Sequence, residues 1–303
     1  LKKQWIADAS LLAVAFVWGA TFVVVQNAIS FLEPLSFNAV RFWLAGIFLL
    51  AWLFLFHRSS LQAFNRSLLL AGIWMGLWLF SGYALQTIGL LYTTSSKAGF
   101  ITGLSVVLVP LFSFLFLKQK PTANAVFGAI IATFGLYFLT MNGGDWSINR
   151  GDLFVFFCAL SFAMHIIVTG KYSSHHPTFL LTVTQIFTVA VMCSVFAFIF
   201  EDGTKMWDIA ILQQQQVWTA LLVTSLLATA AAFLIQTNFQ KYTTPARVAL
   251  IFAMEPVFAA VTAYIWAGER LSTAGIIGCI GILLGMIISE LPISFMERKT
   301  IVE

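Results

Sequence analysis

The chain has 303 residues, of which 60% are hydrophobic and 9% charged, and its mean hydropathy is +0.93. A soluble domain carries about 25% charged residues, so this balance excludes an ordinary globular protein. The net charge of +4 lies mostly in short connections between apolar runs, where it sets membrane orientation rather than attracting nucleic acid.

A membrane-crossing helix needs about 20 mostly apolar residues. Ten segments meet this, at 6–27, 35–56, 67–91, 95–117, 122–141, 152–170, 178–200, 215–239, 245–267 and 272–291. Their length and lack of alternation exclude the short alternating strands of a membrane barrel. The first run follows Lys2 and Lys3, as a secretory signal does, but it is long for one and nine similar runs follow. It is read as the first membrane helix. Cys158, Cys193 and Cys279 lie inside apolar runs with no CxxC spacing, so neither a disulfide framework nor a metal site is expected. No cofactor is expected either.

With the N-terminus in the cytoplasm, Lys2, Lys3, Arg58, Arg66, Lys118, Lys120, Lys171, Lys241, Arg247, Arg298 and Lys299 fall inside. Only Lys97, Arg150, Lys205 and Arg270 fall outside, so both termini are expected to be cytoplasmic.

The chain also repeats itself. An offset of 150 aligns 86–136 with 236–286 without a gap, matching Gln86-Thr87 to Gln236-Thr237, Tyr92-Thr93-Thr94 to Tyr242-Thr243-Thr244, Lys97 to Arg247, and Gly128 and Gly135 to Gly278 and Gly285. An offset near 144 aligns the earlier helices, pairing Asp8 with Asp152 and Trp18 with Phe162. The expected organisation is a first five-helix repeat at 1–141, a connection at 142–151, and a second repeat at 152–303 with a cytoplasmic tail. Because five is odd, the second half enters the membrane from the opposite side. That gives an all-α, inverted-repeat membrane protein, an architecture suited to alternating access. A duplicated scaffold with no transport role is the alternative.

Ionisable groups within such helices are costly and so are functional suspects. Glu255 lies well inside the ninth segment, and Pro256 after it frees a carbonyl one turn back. It is a candidate for binding a cationic group or carrying a proton; the alternative is a structural carboxylate paired with an arginine or hydroxyl. His165 in the sixth segment is either a proton relay and substrate contact or a satisfied packing histidine. Arg41 lies toward the outer end of the second segment, where snorkelling to headgroups or a structural pair competes with anion binding. Lys97 and Arg247, matched at the starts of the fourth and ninth segments, are either mirror-related gate or interface charges or headgroup anchors.

Polar and aromatic residues at helical spacing are candidates to line a central cavity: Trp18 and Thr21, Tyr83 and Gln86, Thr102 and Ser105, and Phe162 and His165. Gln236 mirrors Gln86, and Glu255 mirrors Ser105. Interfacial anchoring is the competing explanation for the Trp and Tyr residues. Gly72/Gly76, Gly99/Gly103, Gly281/Gly285 and the Gly128, Ala132, Gly135 series suit close helix approach within the chain, or a homodimer contact through the fifth and tenth segments.

The motifs Trp18-Gly19-Ala20-Thr21-Phe22, Arg41-Phe42, Ser96-Lys97-Ala98-Gly99-Phe100, Pro245-Ala246-Arg247, Glu255-Pro256-Val257 and Gly268-Glu269-Arg270-Leu271 resemble the EamA-type transporters of the drug/metabolite transporter superfamily. The resemblance spans nearly the whole chain. It implies ten helices in two repeats, efflux of amino acids, other metabolites or toxic compounds, and a cavity lined by the first, third, fourth, sixth, eighth and ninth helices. A bacterial inner membrane is the expected location, with the lipid bilayer and a small-molecule solute as partners. No GxxxxGK[ST] loop supports ATP drive. A lipid flippase is an alternative on the same fold. A membrane-embedded enzyme is another, but no HExxH, GxSxG or paired intramembrane aspartates occur, and His175-His176 lacks carboxylate neighbours.

Overall fold

A backbone in hydrocarbon must satisfy its own hydrogen bonds, which makes each apolar run helical. A computed structural model describes residues 2–93, 95–140, 148–267 and 272–290. Part of the 142–151 connection, the Gly268–Leu271 motif and the expected C-terminal tail lie outside these residues. Among them, nine helical spans are long and apolar enough to cross a membrane, and Thr273–Ser289 is a shorter tenth. No strand occurs among the described residues.

The first half comprises α1 (Lys2–Ala28), α2 (Pro34–Phe56), α3 (Arg66–Leu90), α4 (Ser95–Gly103), α5 (Ser105–Leu117) and α6 (Ala123–Thr140). The second comprises α7 (Arg150–Ser173), α8 (Thr178–Phe200), the short α9 (Ile209–Leu212), α10 (Gln215–Ser225), α11 (Ala232–Phe239), α12 (Pro245–Phe252), α13 (Glu255–Ala267) and α14 (Thr273–Glu290). A π-helical stretch, Leu226–Ala231, joins α10 to α11 within one span.

The fourth and ninth spans are each broken, and at repeat-related places. The fourth breaks at Leu104 and the ninth at Ala253-Met254. With the offset of 150, α5 and α13 start at equivalent residues. Both breaks tighten the last turn: Leu104 N donates to Phe100 O and Ile101 O (3.2 and 3.1 Å), and Met254 N donates to Ile251 O (3.1 Å). Pro256 accounts for the second break, since its ring opposes the carbonyl four residues back and it has no N–H. At Leu104 the preceding Gly103 weakens the helix.

The principal helix contacts run between the halves: α3 with α7 and α8, α2 with α8, α1 with α13, and α6 with α14. Glycines allow the closest of these. A Cβ on Gly135 would lie 2.6 Å from Ile282 N, and one on Gly285 would lie 2.5 Å from Gly128 O, so α6 and α14 touch backbone to backbone. Gly72 and Gly76 likewise seat Thr184 and Thr188 of α8. These small-residue faces are occupied within the chain.

Candidate substrate chamber

The two broken spans bring the starts of α5 and α13 into the bundle interior. Ser105 begins α5 and Glu255 begins α13. Glu255 is half-buried. It makes no hydrogen bond or ion pair with any described residue. This position at a helix start suits a carboxylate, because the helix dipole is positive there. Gly19 lets α1 approach so closely that a Cβ there would lie 2.5 Å from Glu255 O.

An aromatic cluster lies beside the carboxylate. Trp18 packs on Phe252 at 5.0 Å and on Phe233 at 5.4 Å between ring centroids. Phe233 also meets Phe42, Tyr83 and His165, while Tyr83 meets Phe162 at 5.5 Å. Such edge and tilted ring contacts form a rigid apolar wall. Trp18, Tyr83 and Phe162 are half-buried, whereas Phe233 is fully buried behind them.

Arg41 does not snorkel. It is 4% exposed and turned inward. Its Nε donates to Thr229 Oγ1 (2.7 Å), and its Nη2 donates to Ala228 O (3.2 Å) and, at 3.4 Å, to Tyr83 Oη. The π-helical stretch supplies both acceptor residues. Its irregular turn leaves Ala228 O able to take a second donor, Trp18 Nε1 at 2.8 Å. One carbonyl thus ties α1 and α2 to the eighth span. Every acceptor on Arg41 is neutral, so its charge has no contact counter-ion among the described residues.

The other candidates divide. Gln86 donates to Thr102 Oγ1 (3.4 Å), which lies 3.9 Å from Cys158 Sγ, joining α3, α4 and α7. Thr21 spends its hydroxyl proton on backbone carbonyls of its own helix. His165 is 2% exposed, with Nε2 between Gln185 Oε1 (2.9 Å) and Thr169 Oγ1 (3.3 Å). Gln185 continues to Thr237, so this network holds α7, α8 and α11 together. Gln236 does not mirror Gln86 in contacts: it is buried, bonds Gln240 within its own span, and leaves Oε1 without a partner. Lys97 and Arg247 each meet an aspartate of the other half. Lys97 pairs with Asp152 at 3.0 Å, and Arg247 grips both oxygens of Asp8 at 2.6 and 3.1 Å.

Sequence reasoning missed Phe42, Phe233, Phe252, Ala228 and Thr229. Apolar residues abound in every span, and no local pattern marks a π-helical turn. The partners of Lys97 and Arg247 did carry a signal, because Asp8 and Asp152 are themselves matched by the repeat. Among the described residues no group of His, Cys, Asp and Glu could hold a metal ion.

A family model described as the EamA-like transporter family matches residues 5–141 and again 149–291, one match to each half. An uncharacterized transporter of Archaeoglobus fulgidus is 34% identical over 291 residues, covering 96% of this chain and 88% of that protein. The uncharacterized transporter YoaV of Bacillus subtilis is 25% identical over 296 residues, covering 95% and 97%. A protein of Chlamydia muridarum named S-adenosylmethionine/S-adenosylhomocysteine transporter is 27% identical over 146 residues, 46% of each chain. A solved crystal structure shares the fold at a TM-score of 0.80 with 17% identity, covering 97% of this chain and 98% of its own. With both halves matched and a transporter as a full-length relative, this multi-pass, all-helical chain belongs to the EamA-like transporter family.

Proposed function

We propose that the chain is a secondary exporter of the bacterial inner membrane, with both termini cytoplasmic. It moves a small amphipathic solute, an amino acid or related metabolite, by alternating access. The observation that carries this reading is the pair of repeat-related helix breaks at Leu104 and Ala253-Met254. Interrupted helices in matching positions of two halves are how secondary transporters present helix starts and a charged side chain at a mid-membrane site. Trp18, Tyr83 and Phe162 offer an aromatic wall to the apolar part of the solute. Glu255 offers its carboxylate to an amine.

The charge balance favours a zwitterion. Arg41 carries one positive charge with only neutral partners, and Glu255 carries the opposing one. With Glu255 ionised the chamber is neutral overall and accepts a solute of no net charge. With Glu255 protonated the chamber is left with the charge of Arg41 and retains the carboxylate of the solute. A proton and the solute's amine then compete for Glu255, which couples transport to a proton gradient. Proteoliposomes loaded with labelled amino acids test this: efflux driven by an imposed pH gradient is expected for wild type and absent for Glu255→Gln. Equal gradient-driven efflux by both would remove Glu255 from the coupling.

A further inference from the structure

The two inter-half ion pairs are copies of one another. Lys97 on α4 matches Arg247 on α12, and Asp152 on α7 matches Asp8 on α1. Each pair ties the start of one half's broken span to the first helix of the other half. With five spans per half, the two pairs lie at opposite ends of the chamber. A third residue belongs to the first copy: Thr93 Oγ1 donates to Asp152 Oδ1. Its repeat counterpart is Thr243, whose Oγ1 is buried and has no partner among the described residues.

A buried hydroxyl without a partner is costly, and here the repeat identifies the acceptor it lacks, Asp8. The residues at the two ends also differ. At the Lys97 end, α7 touches the end of α3 so closely that a Cβ on Gly151 would lie 2.7 Å from Gly89 O and 2.9 Å from Thr93 N. At the Arg247 end the matching residues are Ala7 and Phe239, neither of them glycine.

We propose that Thr93–Lys97–Asp152 and Thr243–Arg247–Asp8 are repeat-related latches on the two chamber mouths. In this conformation the threonine of the first is engaged on its aspartate and the threonine of the second is not. Closing the second mouth completely brings Thr243 Oγ1 onto Asp8, and opening the first releases Lys97 and Thr93 from Asp152. With the proposed orientation the Arg247 mouth faces the cytoplasm, where an exporter loads its solute. This inference rests on the alternating-access reading and adds to it the residues that set which mouth opens.

The test uses the full chain with its three cysteines replaced and Ser105→Cys as reporter. A membrane-impermeant maleimide is applied to sealed vesicles of either orientation. Asp152→Asn and Thr93→Val are expected to speed modification from the Lys97 side only. Asp8→Asn and Thr243→Val are expected to speed it from the Arg247 side only. For the threonine variants the expected gain is about fivefold, the shift that losing one hydrogen bond produces in a two-state equilibrium. The exchanged pairs Lys97→Asp/Asp152→Lys and Arg247→Asp/Asp8→Arg are expected to return rates toward the parent, and they guard against variants that merely loosen the fold. Gains from both sides in every variant, or no gain from Thr243→Val, overturn the latch proposal. The parent protein separately decides the reading beneath it: a reporter modified from one side only, under all solute and pH conditions, contradicts alternating access however the latch variants behave.

Discussion

Arg41→Gln is the substitution whose cost follows most directly from the structure. The guanidinium is 4% exposed and makes two well-formed bonds, to Thr229 Oγ1 at 2.7 Å and Ala228 O at 3.2 Å. Hydrogen bonds to charged groups are worth about 1.5–3 kcal/mol each. Part of that returns when a buried charge is deleted, and Ala228 O keeps its bond from Trp18. The net loss expected is about 2–4 kcal/mol, read as a lowered unfolding midpoint in a detergent titration followed by tryptophan fluorescence. Arg41→Lys keeps the charge but not the fork, so it falls between wild type and Arg41→Gln and retains transport. Arg41→Gln/Glu255→Gln tests the charge balance: removing both members should cost at least about 0.5 kcal/mol less than the sum of the single changes. A wild-type midpoint for Arg41→Gln, or strict additivity in the double variant, would refute this account of the chamber.

Further outcomes follow from other contacts. Trp18→Phe keeps the ring contacts with Phe233 and Phe252 but deletes the bond to Ala228 O, so stability should fall by about 1 kcal/mol in the same titration. Gly135→Val drives a side chain into the backbone of α14 and should cost about 1–3 kcal/mol, whereas Gly99→Ala, with nothing within 4 Å of the added carbon, should be near neutral. Glu201 holds the start of α2 through Leu35 N, Ser36 N and Ser36 Oγ at 2.7–2.8 Å. Glu201→Ala should therefore cost about 1–2 kcal/mol, with faster amide exchange at Leu35 and Ser36. Intracellular and exported metabolites of cells expressing wild type or Glu255→Gln should differ in a small set of zwitterions; identical profiles would count against the proposed solute class.

The spans and the repeat were legible because both are written in long runs: hydropathy needs only a window, and matched Gln, Tyr, Thr and Gly are hard to obtain by chance among apolar helices. The break before Glu255 was half-legible through Pro256. The break at Leu104 has a weaker local cue and becomes visible when the two halves are laid over each other. Arg41 was legible only as alternatives, because sequence position locates a side chain along a span but not around it. Its inward turn depends on acceptors some 188 residues away, on a π-helical stretch that apolar composition does not announce. The same limit explains Gln236, which shares its register with Gln86 yet faces a differently packed neighbour. His165 was legible as two alternatives, and its partners Gln185 and Thr169, on other turns and another helix, were not.

The opposed sidedness of the halves underlies every functional statement made for this transporter, and one labelling experiment reaches it directly. Arg58 follows α2, and Lys205 follows α8, with five spans between them. Single cysteines at these positions, exposed to an impermeant thiol reagent on intact cells, should react at 205 and be protected at 58 until the membrane is opened. Reaction of both from the same side would contradict the account.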